Sequence, residues 1–583
     1  MTRGTPRTVY AAVAAFAVVY LVLIAVTRNS YYQLTLTLVP IWAMMGLSWN
    51  ILSGYSGLIS FGHAAFFGIG AYATTLLFTL GNVTPWLGIP CATLLGALAA
   101  LLVGGITFRL RGHYFALAML AYPLAMLHLF EWAGYNEVSL PMKRENAAAF
   151  MQFADQRVYA VIALGLMILI MLLSVRIERS RFGMSLLAIK QNEIAAEATG
   201  IDSLKWKLRA IAVSGAIAGL AGGFYAIVLL VVTPETVFGM ATSAQALIVT
   251  MFGGVGTVWG PVIGASILVP LSEFLHAQLG SRVPGIQGVV YGLAIMLVIS
   301  RMPQGIFWKL TDLGVTRQPR PPSMTNRGER YQSQPPLIGG DILTVQHVSR
   351  SFGGVRALVD VSMAVRSGEI LGIIGPNGAG KTTLFNLLNG LVSPGSGHVR
   401  FLERDLLGLS ASAVCALGIG RTFQVTRPFA RMSVLENVVV GAFVSTSTDH
   451  EAIAAARAAL ERVGLAQLAD VAAGELTNYE LRLMELARAI SASPKLLLLD
   501  EPLAGLAGTE SDAFVNLVRR LRDGGLTVVI IEHTVEAMRD LVDRMIVLDH
   551  GTVIAEGEPR KVLRDSQVIK AYLGDKWAAN AEA

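Results

Sequence analysis

The chain has 583 residues, too many for one compact core, so two or more domains are expected. Apolar residues make up 54% of it, which excludes an ordinary soluble enzyme and indicates that much of the surface faces lipid. The formal net charge of +6 forms no basic stripe with interleaved aromatics, so no nucleic acid partner is expected. The two cysteines, Cys91 and Cys415, lie in different domains, which argues against a disulfide and against a metal site built on cysteine.

Residues 1–308 are predicted to form a polytopic bundle of membrane-spanning helices. We expect about eight to ten spans, with the N-terminus inside and the basic stretches between the spans in the cytoplasm. The first apolar run is too long for a signal peptide, so it is expected to stay in the protein as a helix. The apolar runs are 9–26, 31–52, 57–80, 85–108, 113–133, 157–177, 210–232, a short one at 242–252, 258–275 and 284–300.

Two features of this half are open to alternatives. The run at 242–252 is too short for a routine span and adjoins the glycine-rich 252–257, so a re-entrant or broken helix is expected there. His63 is the one ionisable group in a glycine-rich apolar stretch. It has either a functional role or a hydrogen-bonded structural role, and no partner can be named from the sequence.

Residues 309–340 are predicted to be a linker, because prolines alternate there with Arg, Ser, Gln and Asn and hydrophobicity is low. An α/β domain is expected over 341–583. It begins with β-rich runs and reaches a phosphate-binding motif, Gly375-Pro-Asn-Gly-Ala-Gly-Lys-Thr382.

The motif follows the buried-strand pattern Glu369–Ile374 and opens a helix, which is the context that a P-loop requires. Its backbone N–H groups would bind the phosphates of ATP, Lys381 would add a positive charge, and the Thr382 hydroxyl would ligate Mg²⁺. The expected nucleotide-binding residues here are Gly375, Pro376, Asn377, Gly378, Ala379, Gly380, Lys381, Thr382 and Thr383.

Two further strands end in chemically active side chains. The apolar strand Leu496–Asp500 delivers Asp500 to the carboxyl edge of a parallel sheet, where it would hold Mg²⁺ through water. Glu501 follows and would polarise the water that attacks ATP. The strand beginning at Thr527 brings His533 to the same edge. We therefore expect Lys381, Glu501 and His533 to serve catalysis.

In this order the motifs resemble an ATP-binding-cassette (ABC) nucleotide-binding domain, over about residues 341–576. The resemblance implies that Gln424, in Arg-Thr-Phe-Gln424, is the glutamine that contacts Mg²⁺ and the membrane domain. It also implies that His533 is the switch histidine and that Phe352 stacks on adenine. A core role for Phe352 is about equally well supported.

Several segments are similar to the importers of branched-chain amino acids. They are Gly418–Gln424, Val434–Val438 and Val568–Gly574 in the α/β half, and Ser53–Ala65, Arg181–Gly183, Asn192–Glu197 and Gly253–Pro261 in the membrane half. The resemblance implies a permease fused to its ATPase, importing branched-chain or related amino acids across a bacterial inner membrane, with the ATPase in the cytoplasm. Arg181–Ile201 resembles the coupling loop of such permeases and is expected to be helical; an ordinary interfacial helix is the alternative.

One motif departs from the family. The signature Leu-Ser-Gly-Gly-Gln is replaced by Leu476-Thr-Asn-Tyr-Glu480, which puts Tyr479 in place of a glycine and is expected to bring the charge of Glu480 towards a phosphate. The loop Ala504–Ala507 also lacks its usual polar last residue. The unusual signature favours a heteromer with a second permease and a second ATPase. The family resemblance also implies an extracytoplasmic solute-binding protein. An ABC exporter half and a non-transporting regulatory ATPase are the rival functions.

Overall fold

The computed structural model describes residues 6–110, 112–279, 285–302, 305–309, 340–533 and 535–573. The chain divides into two compact units. The helical unit comprises Thr2–Lys190 and Leu204–Gln318, and the α/β unit comprises Gln191–Ser203 and Pro319–Ala583. Except at its two ends, the linker predicted over 309–340 lies outside the described residues.

The helical unit consists of long apolar helices. Among the described residues, nine segments have the length and composition to cross a bilayer. Of the helices before residue 302, α8 lies in the α/β unit and the others form the helical unit. They are α1 (Pro6–Val26), α2 (Ser30–Trp49), α3 (His63–Gly81), α4 (Pro85–Thr107), α5 (His113–Trp132), α6 (Gln156–Glu178), α7 (Arg181–Gln191), α8 (Glu193–Ala198), α9 (Ser203–Leu229), α10 (Pro234–Phe238), α11 (Met240–Gly253), α12 (Trp259–Leu279) and α13 (Ile286–Arg301). A two-stranded antiparallel ribbon joins β1 (Val138–Ser139) to β2 (Val231–Val232).

The short apolar run at 242–252 lies within α11. The one-turn helix α10 precedes it, and the backbone is extended at Gly239, where ψ is 152°. Together, Pro234–Gly253 reaches 20 residues, enough for one span. The apolar run alone is shorter than this span, because the helix is interrupted at Gly239.

His63 has hydrogen-bond partners on both ring nitrogens. Its Nδ1 lies 2.9 Å from the Ser60 hydroxyl, and its Nε2 lies 2.7 Å from the Ser214 hydroxyl. Ser214 also donates to the carbonyl oxygen of Ser48 at 2.7 Å. Because this cluster is fully buried and mutually satisfied, the geometry favours the structural alternative for His63.

The α/β unit contains two sheets. The six-stranded sheet has the order β12-β11-β5-β10-β9-β8, with β12 antiparallel to an otherwise parallel set. The four-stranded antiparallel sheet has the order β4-β3-β6-β7. The strands are β3 (Asp341–Phe352), β4 (Val355–Arg366), β5 (Ile370–Ile374), β6 (Ser396–Phe401), β7 (Arg404–Asp405), β8 (Ile419–Arg421), β9 (Leu496–Asp500), β10 (Thr527–Ile531), β11 (Arg544–Asp549) and β12 (Thr552–Gly557).

The central parallel strands are buried along their whole length. Every residue of β5, β9 and β10 is buried, which is why these segments are continuous apolar runs rather than alternating ones. Parallel neighbours in register deliver their carboxyl ends to one edge, since Ile531 of β10 is opposite Asp500 of β9. The loops that carry the candidate site residues therefore meet at this edge.

Helices cover the sheets of the α/β unit. They are α14 (Lys381–Leu388), α15 (Ala411–Leu417), α16 (Val434–Ala442), α17 (Asp449–Val463), α18 (Asn478–Ile490), α19 (Gly508–Asp523), α20 (Val535–Leu541), α21 (Pro559–Val562) and α22 (Ser566–Leu573).

The segment Gln191–Ser203 also belongs to this unit, and its helix α8 packs against α15. The side-chain oxygen of Gln191 accepts a hydrogen bond from the Arg431 N–H at 2.8 Å, and Gly200 lies against Val444. The sequence predicted a helical coupling segment. The structure has two helices, because the Asn192 side chain caps a new one by accepting from the Ala195 N–H at 2.9 Å.

Candidate active site

The loop from Gly375 to Gly380 connects the carboxyl end of β5 to the start of α14. Gly380 is left-handed at φ +100°, and a Cβ there would lie 2.4 Å from the carbonyl oxygen of Ala357. Only glycine meets both conditions. The turn therefore delivers the free N–H groups of the first helical turn to one point, where they can bind an anion.

Lys381, the first residue of α14, reaches back over the loop. Its ammonium group donates to the carbonyl oxygens of Gly375 at 2.7 Å and of Pro376 at 3.0 Å. Burial lowers the pKa of Lys381, and the carboxylates of Glu501 and Asp500 act in the opposite direction. The cation is therefore held inside the loop, close to the acidic edge of the sheet.

The remaining residues of the loop differ in their exposure. Asn377 and Gly378 lie at the exposed tip, Ala379 is buried, and Thr382 is exposed in the first helical turn with Thr383 beside it. The Thr382 hydroxyl is thus accessible for ligation at the same end of the helix.

Asp500, the last residue of β9, is paired with Arg421 of the neighbouring strand β8. Arg421 Nη2 lies 3.1 Å from Asp500 Oδ2, and Arg421 Nη1 donates to the Asn386 side chain at 2.7 Å. Burial raises the pKa of Asp500, and Arg421 opposes that effect. Within the described residues, Asp500 Oδ1 is buried and has no hydrogen-bond partner. A buried carboxylate oxygen without a hydrogen-bond donor is a suitable ligand for a divalent cation.

Sequence reasoning did not single out Arg421. The signal was its position: it ends a strand three residues before Gln424, and β8 is the parallel neighbour of β9. The strand order that makes them neighbours was not available from the sequence.

Glu501 lies between two other predicted site residues. Its Oε1 is 2.5 Å from His533 Nε2, and its Oε2 accepts from Gln424 Nε2 at 2.7 Å. The Glu501 backbone is left-handed at φ +47°, and its N–H donates to the Ile531 carbonyl oxygen at 2.9 Å. Such strain in a non-glycine residue is concentrated at functional sites. Two side chains, His533 and Gln424, thus converge on the Glu501 carboxylate.

Phe352 stands apart from this cluster in its contacts. It ends β3 with 45% of its surface exposed, and the Arg350 guanidinium lies 4.9 Å from its ring centre. An exposed aromatic of this kind is not a core residue, so the geometry leaves its ring available for stacking.

The unusual signature segment begins α18. The Thr477 hydroxyl accepts from the Glu480 N–H at 3.3 Å, and Glu480 Oε2 accepts from the Thr477 N–H at 2.7 Å. Glu480 is buried in this reciprocal cap. The expectation that Glu480 directs its charge towards a phosphate is therefore wrong for this structure. Tyr479, half-buried in the first turn, is the remaining departure from the family.

A buried ionic group connects α18 to the residues around Gln424. Glu485 accepts from the N–H groups of Phe423 at 3.3 Å and Arg427 at 3.2 Å, and it pairs with Arg488 at 3.2 Å. Arg482 donates to the carbonyl oxygen of Phe423 at 3.0 Å. These contacts fix the backbone on both sides of Gln424.

Three family models match the chain. Residues 31–299 match the permease component of the branched-chain amino acid transport system. Residues 358–504 match the ABC transporter model, and residues 552–578 match a branched-chain amino acid ATP-binding cassette transporter model.

The α/β half is similar to curated ATP-binding proteins. A high-affinity branched-chain amino acid transport ATP-binding protein, LivG of Salmonella typhimurium, is 36% identical over 250 residues, covering 40% of this chain and 98% of the relative. A probable LivG of Methanocaldococcus jannaschii is 35% identical over 253 residues, again 40% of this chain and 98% of the relative.

Among solved structures, a nucleotide-free ATP-binding cassette from an ABC transporter is 33% identical, with 40% of this chain and 100% of that chain covered and a TM-score of 0.38. The chain thus joins a branched-chain permease domain to an ATP-binding cassette, an ATPase domain, and it belongs to the branched-chain amino acid ABC transporter family.

Proposed function

We propose that this multi-pass membrane protein imports branched-chain or related amino acids, using ATP hydrolysed by its own cassette. The observation that carries the proposal is the convergence of His533 and Gln424 on Glu501 beside the Lys381 loop, in a chain whose other half is a permease of this family. A carboxylate with two fixed partners, on the same polypeptide as a permease domain, supports ATP-driven transport by this chain.

The chain's own residues have distinct roles in this proposal. The loop Gly375–Thr383 binds the phosphates of ATP, and Phe352 stacks on the adenine ring. Lys381 neutralises phosphate charge. Glu501 orients the attacking water, and His533 holds Glu501 in place from 2.5 Å. The two partners fix the carboxylate before the substrate arrives, which is the preorganisation that phosphoryl transfer needs.

The residues present fit a magnesium ion. Asp500 has a buried oxygen without a protein partner in the described part of the chain, Thr382 is exposed at the helix start, and the Gln424 amide oxygen is a third possible ligand. All three offer the oxygen donors that Mg²⁺ prefers. When bound, Mg²⁺ would neutralise charge on the terminal phosphates.

The proposed assembly is larger than this chain. We propose a second permease, a second ABC ATPase and an extracytoplasmic solute-binding protein as partners. The helical unit lies in the lipid of a bacterial inner membrane, and the cassette lies on the cytoplasmic side. A heteromer is proposed because Tyr479 makes the signature segment of this chain unusual.

Reconstitution tests the function. The complex, purified with its partners into proteoliposomes, is supplied with ATP at the cassette side and with labelled leucine plus the binding protein at the other side. We expect ATP-dependent accumulation of leucine, abolished by Lys381→Ala. Unlabelled isoleucine and valine should compete; urea and aromatic acids serve as comparison solutes.

The outcomes separate the rivals. Movement of solute towards the binding-protein side would support an exporter. ATP hydrolysis without movement of any of these solutes would favour a regulatory ATPase. Accumulation of urea or an aromatic acid in place of leucine would keep the importer and replace the substrate class.

A further inference from the structure

The cytoplasmic-loop helix α7 is bound to an irregular end of α2. After Trp49 the helix continues as a π-helix, Asn50–Gly54, and its last helical residue is Ser56. Short π-helical segments are rare, and they occur frequently at functional sites. We call residues 50–57 the α2 junction.

Asn50 ties the junction to the glycine segment, residues 253–258, which connects α11 to α12. Its Oδ1 accepts from the Gly256 N–H at 2.7 Å, and its Nδ2 donates to the Thr257 carbonyl oxygen at 3.0 Å. Asn50 is only 1% exposed. Because breaking either bond would leave a buried polar group unsatisfied, the junction and the glycine segment should move together.

Lys190 ties the other side of the junction to α7. Its ammonium group donates to the Gly54 carbonyl oxygen at 2.7 Å. The helix stops too soon to supply an amide for that oxygen, so the lysine replaces a missing turn and also complements the negative end of the helix dipole. Gly57, at φ +78°, makes room for the lysine: a Cβ there would lie 2.9 Å from Lys190 Cγ.

We propose that Lys190 is a positioning residue that carries displacements of α7 to the α2 junction and, through Asn50, to the glycine segment. The next residue in the chain, Gln191, accepts a hydrogen bond from the Arg431 N–H of the cassette unit. Two consecutive residues thus bind the two parts that must move in concert. The inference rests on the proposed function, since it presupposes transport coupled to ATP.

The test measures solute transported per ATP hydrolysed in the reconstituted complex. Lys190→Met keeps an unbranched side chain of nearly the same length, one atom shorter, and removes the charged donor. It should lower the ratio at least about fivefold, because the variant loses the charge-assisted hydrogen bond to the Gly54 carbonyl oxygen. Lys190→Arg should retain most of the coupling. Lys561→Met is the matched control, since Lys561 is 82% exposed on the cassette surface and its ion pair with Glu558 is local.

A covalent substitute provides the second arm. A Cβ at Gly57 would lie 3.5 Å from Lys190 Cβ, within the range that a disulfide spans. In a Cys91→Ser background, the Gly57→Cys, Lys190→Cys pair should cross-link on oxidation. Because the proposal requires a rigid connection, the oxidised form should transport more solute per ATP than the reduced form, and a reductant should reverse the gain.

The proposal would be overturned if Lys190→Met left the amount of solute transported per ATP unchanged, or if the oxidised and reduced forms of the cysteine pair gave the same value. As long as the wild-type complex transports solute, either result would leave the importer function intact. Failure of the wild-type complex to transport any solute would overturn both.

Discussion

At the scale of single residues, the candidate site is organised around Glu501. One oxygen of its carboxylate contacts His533 and the other contacts Gln424, and its backbone has an unfavourable left-handed conformation. An orienting network of this kind fixes a charged group where a water molecule must be polarised. The charge, rather than the shape, of Glu501 should therefore be the property that hydrolysis needs.

Glu501→Gln tests that statement. The amide keeps the size of the side chain but cannot act as a base, so turnover should fall at least about 100-fold. ATP affinity, measured by equilibrium binding, should stay near the wild-type value. Glu536→Gln, at an exposed site on α20, is the control and should hydrolyse ATP normally. Near-normal turnover in Glu501→Gln would remove it from this role.

The sequence predicted which residues lie at the sheet edge but not how they are paired. The order of motifs placed Asp500, Glu501 and His533 together because each follows a buried strand. The partners Arg421 and Glu485 were not predicted, since their contacts depend on which strands are neighbours and on how α18 packs. A residue's type and spacing do not encode those three-dimensional relations.

Glu485 should matter for stability as well as for position. Glu485→Ala would leave Arg488, 2% exposed, as a buried charge without its carboxylate. Losing one partner of a buried pair costs about 3 kcal/mol. The cassette's melting midpoint should therefore fall by about 6 to 12 °C in the full-length protein. Glu558→Ala, which removes an exposed pair with Lys561, should change it by less than about 3 °C. Equal shifts would contradict the assigned role of Glu485.

At the scale of elements, hydropathy located the helices better than it located their interruptions. The apolar run 31–52 became α2 and the π-helical junction, and the run at 242–252 became part of a helix interrupted at Gly239. Interruptions depend on backbone partners such as Asn50 with Gly256, which are far apart in the sequence. The coupling segment shows the same limit, because a cap at Asn192 divides it.

Because α8 begins at Glu193, the effect of a proline in the coupling segment should depend on its position in this helix. Glu193 is the first residue of α8, a position where proline is tolerated. Ala196 lies inside α8, is fully buried, and donates its N–H to the Asn192 carbonyl oxygen at 3.0 Å. Ala196→Pro removes that bond and should destabilise the helix by about 3 kcal/mol.

Ala196→Pro should therefore lower transport per ATP severalfold, while Glu193→Pro should behave almost as the wild type does. The measurement is the ratio of leucine uptake to phosphate release in proteoliposomes. If both variants keep the wild-type ratio, the segment is a surface helix with no part in coupling. Loss of coupling in both variants alike would show that the site is sensitive to proline for reasons other than the helix.

At the scale of the whole molecule, the proposed assembly adds a second permease and a second cassette to this chain. Family models identify the permease domain and the cassette of this chain. The partners are proposed because, in the family, the signature segment of one cassette acts on the nucleotide bound by the other. Glu480 does not disturb that arrangement, since its charge is used in the helix cap. The asymmetry therefore depends on Tyr479, a bulky ring where a glycine would let the backbone approach phosphate.

The two ATP sites of the complex should consequently be unequal. In the proposed complex, this chain would supply Lys381, Asp500 and Glu501 to one site and Tyr479 to the other. At saturating ATP, Lys381→Ala should reduce hydrolysis at least about tenfold, because it removes the cation of the competent site. The matching lysine change in the partner ATPase should cost much less, and Lys561→Ala should cost nothing. Tyr479→Gly should increase the turnover that survives Lys381→Ala. Equal losses from the two lysine changes, with no effect of Tyr479→Gly, would show that both sites hydrolyse ATP alike.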